Sequence, residues 1–148
     1  MNFEYLGNTN IIKAYKTAFL CSRQVGSRAV LRCYDWATEM CDRGEVVVSG
    51  FQSKIEKDVL FFLLKGKQPV IMVIARKMFK ILPQELQAPL EDGRLLIIST
   101  APNAVRVGKA AADARNAYIA DMADKIVFGY IRAKRSLQEI YNNNVNKS

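Results

Sequence analysis

The sequence contains no histidine, and this absence removes several classes of enzyme. Ser-His-Asp and Cys-His catalysis need an imidazole, as do histidine-containing metal sites. The three cysteines, Cys21, Cys33 and Cys41, form no CxxC pair, so we expect buried thiols in a reducing compartment. Glu56 and Asp58 are expected on the solvent side of a helix, which leaves no carboxylate pair for acid–base catalysis. The sequence therefore predicts a protein without enzymatic activity, metal or other cofactor.

Long apolar segments and the common nucleotide-binding motifs are also missing. The longest apolar runs, such as Val59–Leu64 and Val70–Ala75, are far too short to cross a bilayer. The N-terminus lacks the apolar core of a signal peptide, so we expect a cytoplasmic protein with no membrane partner. The glycine-rich dinucleotide fingerprint and the Walker A sequence are absent, which argues against a nicotinamide or flavin site and a P-loop NTPase.

Positive charge is in excess over the whole chain. Its 148 residues include 22 Lys and Arg against 14 Asp and Glu, a formal net charge of +8. Five basic residues and no acidic residue lie between Tyr5 and Tyr34. A polyanion such as nucleic acid is a suitable partner for this charge, although a solvated basic face has the same composition.

Short apolar runs alternate with stretches of helical spacing. We predict strands at Thr17–Leu20, Glu45–Val48, Pro69–Ile74, Arg94–Ile98 and Lys125–Tyr130. Helices are predicted over residues 28–43, 52–65, 84–90 and 132–141, with a short amphipathic helix before the last strand. This order indicates a doubly wound α/β fold: a mainly parallel sheet of about five strands with helices on both faces. The length suits one domain, residues 1–148, with its core at about 17–131 and a disordered tail at 142–148.

Ligands of doubly wound sheets bind at the carboxyl ends of the strands. Small, hydroxyl-bearing or basic residues follow those ends at Cys21-Ser22-Arg23, Ser49-Gly50, Ala75-Arg76-Lys77 and Ser99-Thr100. The pair Arg115-Asn116 is expected to open the short amphipathic helix. A planar cation and an amide at a helix N-terminus suit a phosphate, although the same pair is also compatible with an ordinary solvated helix start.

Five segments, taken in order, carry a resemblance to a known family. Cys21-Ser22-Arg23 stands where that family has Gly-Ser-Arg, and Val46–Glu56 where it has Val-Val-Val-Ser-Gly followed by Ala-Arg-Gly-Ile-Asp. Leu82–Glu85 corresponds to Tyr-Pro-x-Glu, Gly93–Ser99 to Gly-Leu-Leu-Leu-Ser, and Arg115–Asp124 to Arg-Asn-Arg-x-Ile-Ala-x-x-x-Asp. The chain thus resembles the Rossmann-like domain of the DprA/Smf family, DNA-processing proteins that mediate recombination in natural transformation.

The resemblance implies a module that binds single-stranded DNA in DNA processing and recombination. It also implies a homodimer and a recombinase partner. The implied phosphate-binding and nucleic-acid-binding residues are Ser22, Arg23, Ser49, Gly50, Lys54, Arg76, Lys77, Arg106, Lys109, Arg115 and Asn116. Lys80 would extend this basic track, and the candidates for stacking on bases are Phe51, Phe79 and Tyr118.

Two other functions stay open. The same site could bind a small nucleotide-derived ligand through its phosphate, as a sensor without catalysis. The chain also departs from the family pattern at Cys21, Ser53 and Ala117, which replace one Gly and two Arg. Such losses would also be found in a degenerate protein-interaction module.

Overall fold

The computed structural model describes residues 2–21, 27–130 and 136–144, which form one mixed sheet with helices on both faces. Six strands lie in the order β1-β5-β4-β3-β2-β6. Their bounds are β1 Glu4–Gly7, β2 Lys16–Cys21, β3 Val46–Ser49, β4 Val70–Ile74, β5 Leu95–Ser99 and β6 Lys125–Tyr130. All neighbouring strands pair in parallel except β1, which runs antiparallel to β5. The Rossmann-like doubly wound α/β fold predicted from the sequence is confirmed.

The helices of the described residues are divided between the two faces of the sheet. They are α1 Ser27–Arg43, α2 Lys54–Leu64, α3 Gln84–Glu91, α4 Lys109–Met122 and α5 Ser136–Asn143. Helices α1, α2 and α3 pack on one face, whereas α4, α5 and a 3-10 turn at Thr9–Lys13 pack on the other. None of these helices is long and apolar enough to cross a membrane.

Two apolar cores follow from the alternation of side chains along the buried strands. Phe19 and Ile97 point to the core beneath α1, α2 and α3, while their neighbours Leu20 and Ile98 point to the core beneath α4. Every residue of β4 and β5 is buried, as expected for parallel strands covered on both faces. The strand order reverses at β2, which lies between β3 and β6. Ligands of doubly wound sheets bind beside such a reversal, at the carboxyl ends of the strands.

Three details differ from the sequence-based prediction. Strand β1 is additional: it lies at the sheet edge and only Leu6 of its residues is half-buried, so it lacks the apolar alternation that marks a strand. Helix α4 begins at Lys109, so the prediction that Arg115 opens a short helix is wrong. The alanines before Arg115 favour the additional helical turns. Residues 142–143 belong to α5 and not to a disordered tail, while residues 145–148 lie outside the described residues.

Candidate functional site

Three loops follow the carboxyl ends of β3, β4 and β5. They comprise residues 50–53, 75–83 and 100–108, and we call them the carboxyl edge. Hydrogen bonds join the last two loops: Ser99 Oγ donates to the carbonyl of Arg76 over 2.5 Å, and Lys77 N to the carbonyl of Ala104 over 2.8 Å. The loop after β4 is therefore held to the last residue of β5 and to the loop that follows β5. Ser22 and Arg23, predicted at the end of β2, lie outside the described residues.

The carboxyl edge carries basic residues and no acidic ones. Its basic residues are Arg76, Lys77, Lys80 and Arg106, and within the described part of the chain none of them forms an ion pair. The loops at the opposite ends of the same strands mix both signs, with Glu45, Lys65, Lys67, Asp92 and Arg94. The loops of the carboxyl edge thus carry four basic residues and no acidic one, at the end of the sheet where doubly wound proteins bind ligands.

Two further predicted lysines begin helices at this edge. Lys54 is the first residue of α2 and Lys109 the first of α4, and both side chains are exposed. Each forms an ion pair with a carboxylate one turn later, Lys54 with Asp58 at 3.3 Å and Lys109 with Asp113 at 2.9 Å. Exposed pairs of this kind are weak, so both lysines can exchange their partner for a phosphate.

Arg115 lies beneath the carboxyl edge and is only 4% exposed. Its guanidinium donates from Nε to Asn116 Oδ1 at 2.8 Å, from Nη2 to Gln52 Oε1 at 2.7 Å and from Nη1 to the carbonyl of Val73 at 3.4 Å. Burial lowers the pKa of this guanidinium, and the negative charge of Glu56 opposes the shift. Arg115 therefore connects its own helix, α4, to the loop after β3 and to β4. Asn116 accepts one of these three hydrogen bonds.

Ser49 and Gly50 shape the loop in which they lie. The side chain of Ser49 is fully buried, and its Oγ accepts the backbone N–H of Phe51 at 3.2 Å. Phe51 has a φ of +48°, a left-handed conformation that is uncommon for a bulky residue. Gly50 lies against Arg115, because a Cβ at this position would be only 2.6 Å from the guanidinium carbon. Both predicted residues are thus occupied in holding the loop over the buried arginine.

Glu56 is buried beside the loop after β3, so the prediction that its side chain is exposed is wrong. It was expected in solvent but is 5% exposed. Its Oε1 accepts the backbone N–H groups of Gln52 and Ser53 at 3.0 and 3.1 Å, and its Oε2 accepts that of Cys21 at 3.2 Å. Ser53 Oγ accepts the N–H of Glu56 in return. The pattern Ser-x-x-Glu at 53–56 is the signature of such a capping box and could have identified this carboxylate.

The three aromatic candidates have different surroundings. Phe51 belongs to the core, so its burial excludes it as a stacking surface. Tyr118 is half-buried and packs edge-on against Phe3, with 5.0 Å between ring centroids. Burial is the main cause that raises the pKa of its hydroxyl. Phe79 is half-buried at the carboxyl edge, and the guanidinium carbon of Arg76 lies 5.7 Å from its ring centroid.

The described residues hold a cavity away from the carboxyl edge but no cluster of potential metal ligands. No group of three or more Cys, Asp or Glu side chains in residues 2–21, 27–130 and 136–144 is arranged to hold a metal ion. A cavity of about 370 Å³ lies between the C-terminal ends of α1 and α2, away from the carboxyl edge. Its lining includes Thr38, Cys41, Phe62 and Lys65.

Comparisons with solved structures agree on the fold. DNA processing protein A from Helicobacter pylori, whose structure concerns a single-stranded DNA binding mode, has a TM-score of 0.78 and 19% identity, over 98% of this chain and 68% of that chain. DNA processing protein A from Streptococcus pneumoniae has a TM-score of 0.78 and 18% identity. This chain is covered to 98% but spans only 52% of the streptococcal chain.

A molybdenum cofactor binding protein from Rippkaea orientalis shares the fold at a TM-score of 0.58 and 13% identity, over 88% of this chain and 73% of that one. No functionally curated protein matches the sequence significantly. A family model described as DNA recombination-mediator protein A matches residues 3–136, which is most of the sequence. The chain therefore belongs to the DNA recombination-mediator protein A family, as its resemblance to DprA/Smf proteins predicted.

Proposed function

We propose that the chain binds single-stranded DNA through its backbone phosphates at the carboxyl edge, as part of DNA processing and recombination. The observation that carries this proposal is the charge asymmetry of the sheet: basic residues alone at the carboxyl ends of β3, β4 and β5, and both signs at the amino ends. Phosphate neutralisation supplies most of the affinity of proteins that bind DNA without sequence preference. Family membership and the DNA-binding mode of the Helicobacter relative support the choice of ligand.

The predicted site residues divide into two roles in this proposal. Exposed or half-exposed cations contact phosphates: Arg76, Lys77, Arg106, Lys54 and Lys109, extended by Lys80. Arg23, which lies outside the described residues, stays a predicted contact. Buried and half-buried residues instead hold the loop after β3 in place through contacts within the protein. This positioning set comprises Ser49, Gly50, Glu56, Arg115 and Asn116. Arg115 thus supports the site from below and does not contact phosphate.

In this proposal the chain acts by binding and not by catalysis. Glu56 is the buried carboxylate nearest to the carboxyl edge, and it already accepts three backbone N–H groups. A carboxylate engaged in this way is a poor general base, because both of its oxygens are buried and already accept hydrogen bonds from the backbone. The single domain, the homodimer, the recombinase partner and the cytoplasmic location stay predictions.

Two lysines at opposite ends of β4 give a matched test. Lys77 follows the strand at the carboxyl edge, whereas Lys67 precedes it at the other end of the sheet. We expect the logarithm of the affinity for fluorescently labelled oligo(dT), measured by anisotropy, to fall linearly with the logarithm of salt concentration. Lys77→Ala should lower the affinity and reduce the salt slope by about 0.7, the value for one phosphate contact on a single strand. Lys67→Ala removes the same charge and should bind like the wild type.

Two results would contradict the proposal: binding that is insensitive to salt, or equal losses in the two lysine variants. Thermal unfolding with individual mononucleotides tests the alternative of a small nucleotide-derived ligand. Stabilisation by one mononucleotide, in the absence of oligo(dT) binding, would favour a nucleotide sensor.

A further inference from the structure

Arg76 and Phe79 form a cation–aromatic pair at the carboxyl edge. The guanidinium carbon of Arg76 lies 5.7 Å from the Phe79 ring centroid, within the range of a cation–π contact. The ring is half-buried and packs against the core beneath α1, α2 and α3. Arg76 Nε also donates to the carbonyl of Lys77 at 3.3 Å. The pair therefore has one aromatic layer anchored in the core and one planar cation lying against it.

The backbone that carries this pair is fixed from the neighbouring strand. The carbonyl of Arg76 accepts the hydroxyl of Ser99 at the end of β5, and the N–H of Lys77 bonds to the carbonyl of Ala104. The first bond joins the loop after β4 to the last residue of β5, and the second joins it to the loop that follows β5. A pair held in this way loses little conformational freedom when a ligand binds, which favours affinity.

Exposed apolar side chains lie on the same two loops. Ile81 is 87% exposed and Val105 66%, the highest values among the large apolar side chains of the described residues. Phosphate binding alone does not account for exposed apolar side chains beside the basic residues. The bases of a single strand do account for them, because their flat faces are apolar and are not fixed within the base stack of a duplex.

We propose that the Arg76–Phe79 pair is a base-stacking subsite, at which one base of a single strand stacks on the Arg76 guanidinium that lies over the Phe79 ring. This inference rests on the proposed function. It adds that the protein contacts a base of the single strand as well as its phosphates. Every base has a flat face, so the subsite tolerates any sequence. The bases of duplex DNA are stacked on one another inside the helix, so the subsite selects single strands.

The test compares two labelled oligonucleotides of equal length, oligo(dT) and its abasic counterpart, which has the same phosphates without bases. The wild type should prefer oligo(dT) by about 5- to 100-fold, the range for stacking of one base on a side-chain plane. Arg76→Lys keeps the charge but loses the planar group, and Phe79→Leu keeps an apolar anchor but loses the ring. Both should reduce the preference at least several-fold. Arg76→Lys should also keep the wild-type salt slope.

Lys77→Ala is the matched comparison, because it should weaken binding of both oligonucleotides by the same factor. An unchanged preference for oligo(dT) in Arg76→Lys would overturn the subsite, as would a wild type that binds both oligonucleotides equally. Arg76→Lys keeps the test valid if Phe79→Leu disturbs folding. Absence of salt-dependent binding to either oligonucleotide would instead refute the proposed function, so the two failures are distinguishable.

Discussion

The guanidinium of Arg115 lies directly against the Cα of Gly50, so that a Cβ on residue 50 would stand 2.6 Å from the guanidinium carbon. The guanidinium has little freedom to move away, because it also bonds to Gln52 and Val73. The arginine thus fills the space that a side chain on residue 50 would otherwise take. Helix α4 and the loop after β3 form one unit as a result.

Gly50→Ala should destabilise the protein by about 1–3 kcal/mol, the usual cost of overpacking a well-packed interior. The added methyl group would have to displace a guanidinium that is bonded to protein. Urea unfolding measures the loss. Gly108→Ala is the control, because nothing lies within 4 Å of a Cβ there, and at this helix N-cap the change should cost less than about 1 kcal/mol. Equal losses in the two variants would contradict the close contact.

Arg115→Lys should lower the free energy of unfolding by about 2–4 kcal/mol although it keeps the charge. Lysine lacks the planar fork that reaches Asn116, Gln52 and Val73 at the same time, and buried acceptors without donors are costly. Arg106→Lys, at an exposed arginine of the carboxyl edge, should unfold like the wild type. An Arg115→Lys variant of wild-type stability but weakened oligo(dT) binding would instead assign Arg115 to direct phosphate contact.

The buried parallel strands were predictable because each is a continuous β-branched and apolar run. Val70–Ile74 and Leu95–Ser99 lie within one residue of their predicted bounds. Strand β1 has no such run, and its place depends on pairing with β5 far along the chain. Local pattern therefore identified the interior of the sheet but not its antiparallel edge.

The burial of the site's charged residues could not be predicted from periodicity. Arg115 bonds to Gln52, 63 residues away, and Glu56 to Cys21, 35 residues away. Charged residues are normally exposed, and only their long-range partners make burial favourable. Periodicity did not separate the predicted cations that face solvent, such as Arg106, from Arg115, which is buried beneath the loop after β3.

Glu56→Gln should destabilise the protein by about 2 kcal/mol or more. The amide keeps a single acceptor oxygen and turns an NH₂ group toward backbone N–H donors that the carboxylate now satisfies. Ser53→Ala removes only the reciprocal half of the capping box and should cost about 1 kcal/mol. Urea unfolding compares the two variants. A smaller loss for Glu56→Gln than for Ser53→Ala would show that the carboxylate has no role beyond helix capping.

Tyr34 and Asp58 join α1 to α2 through a hydrogen bond of 2.6 Å from the phenol to the carboxylate, and this bond makes stability depend on pH at both extremes. The bond raises the pKa of Tyr34 to about 12 and lowers that of Asp58 below its usual value near 4. Its contribution is therefore complete between about pH 5 and 9. The contribution is lost as the pH falls through the lowered pKa of Asp58. It is also lost as the pH rises from about 10, where the tyrosine of the unfolded chain ionises, toward 12.

Tyr34→Phe should lower the free energy of unfolding by about 1 kcal/mol at neutral pH, because the pair is partly exposed. The difference from the wild type should shrink at both extremes of pH. Urea unfolding at several pH values measures these differences. Tyr15→Phe, at an exposed tyrosine, is the control and should show no such dependence on pH. A Tyr34→Phe difference that is constant with pH would contradict the proposed effect of the Tyr34–Asp58 bond.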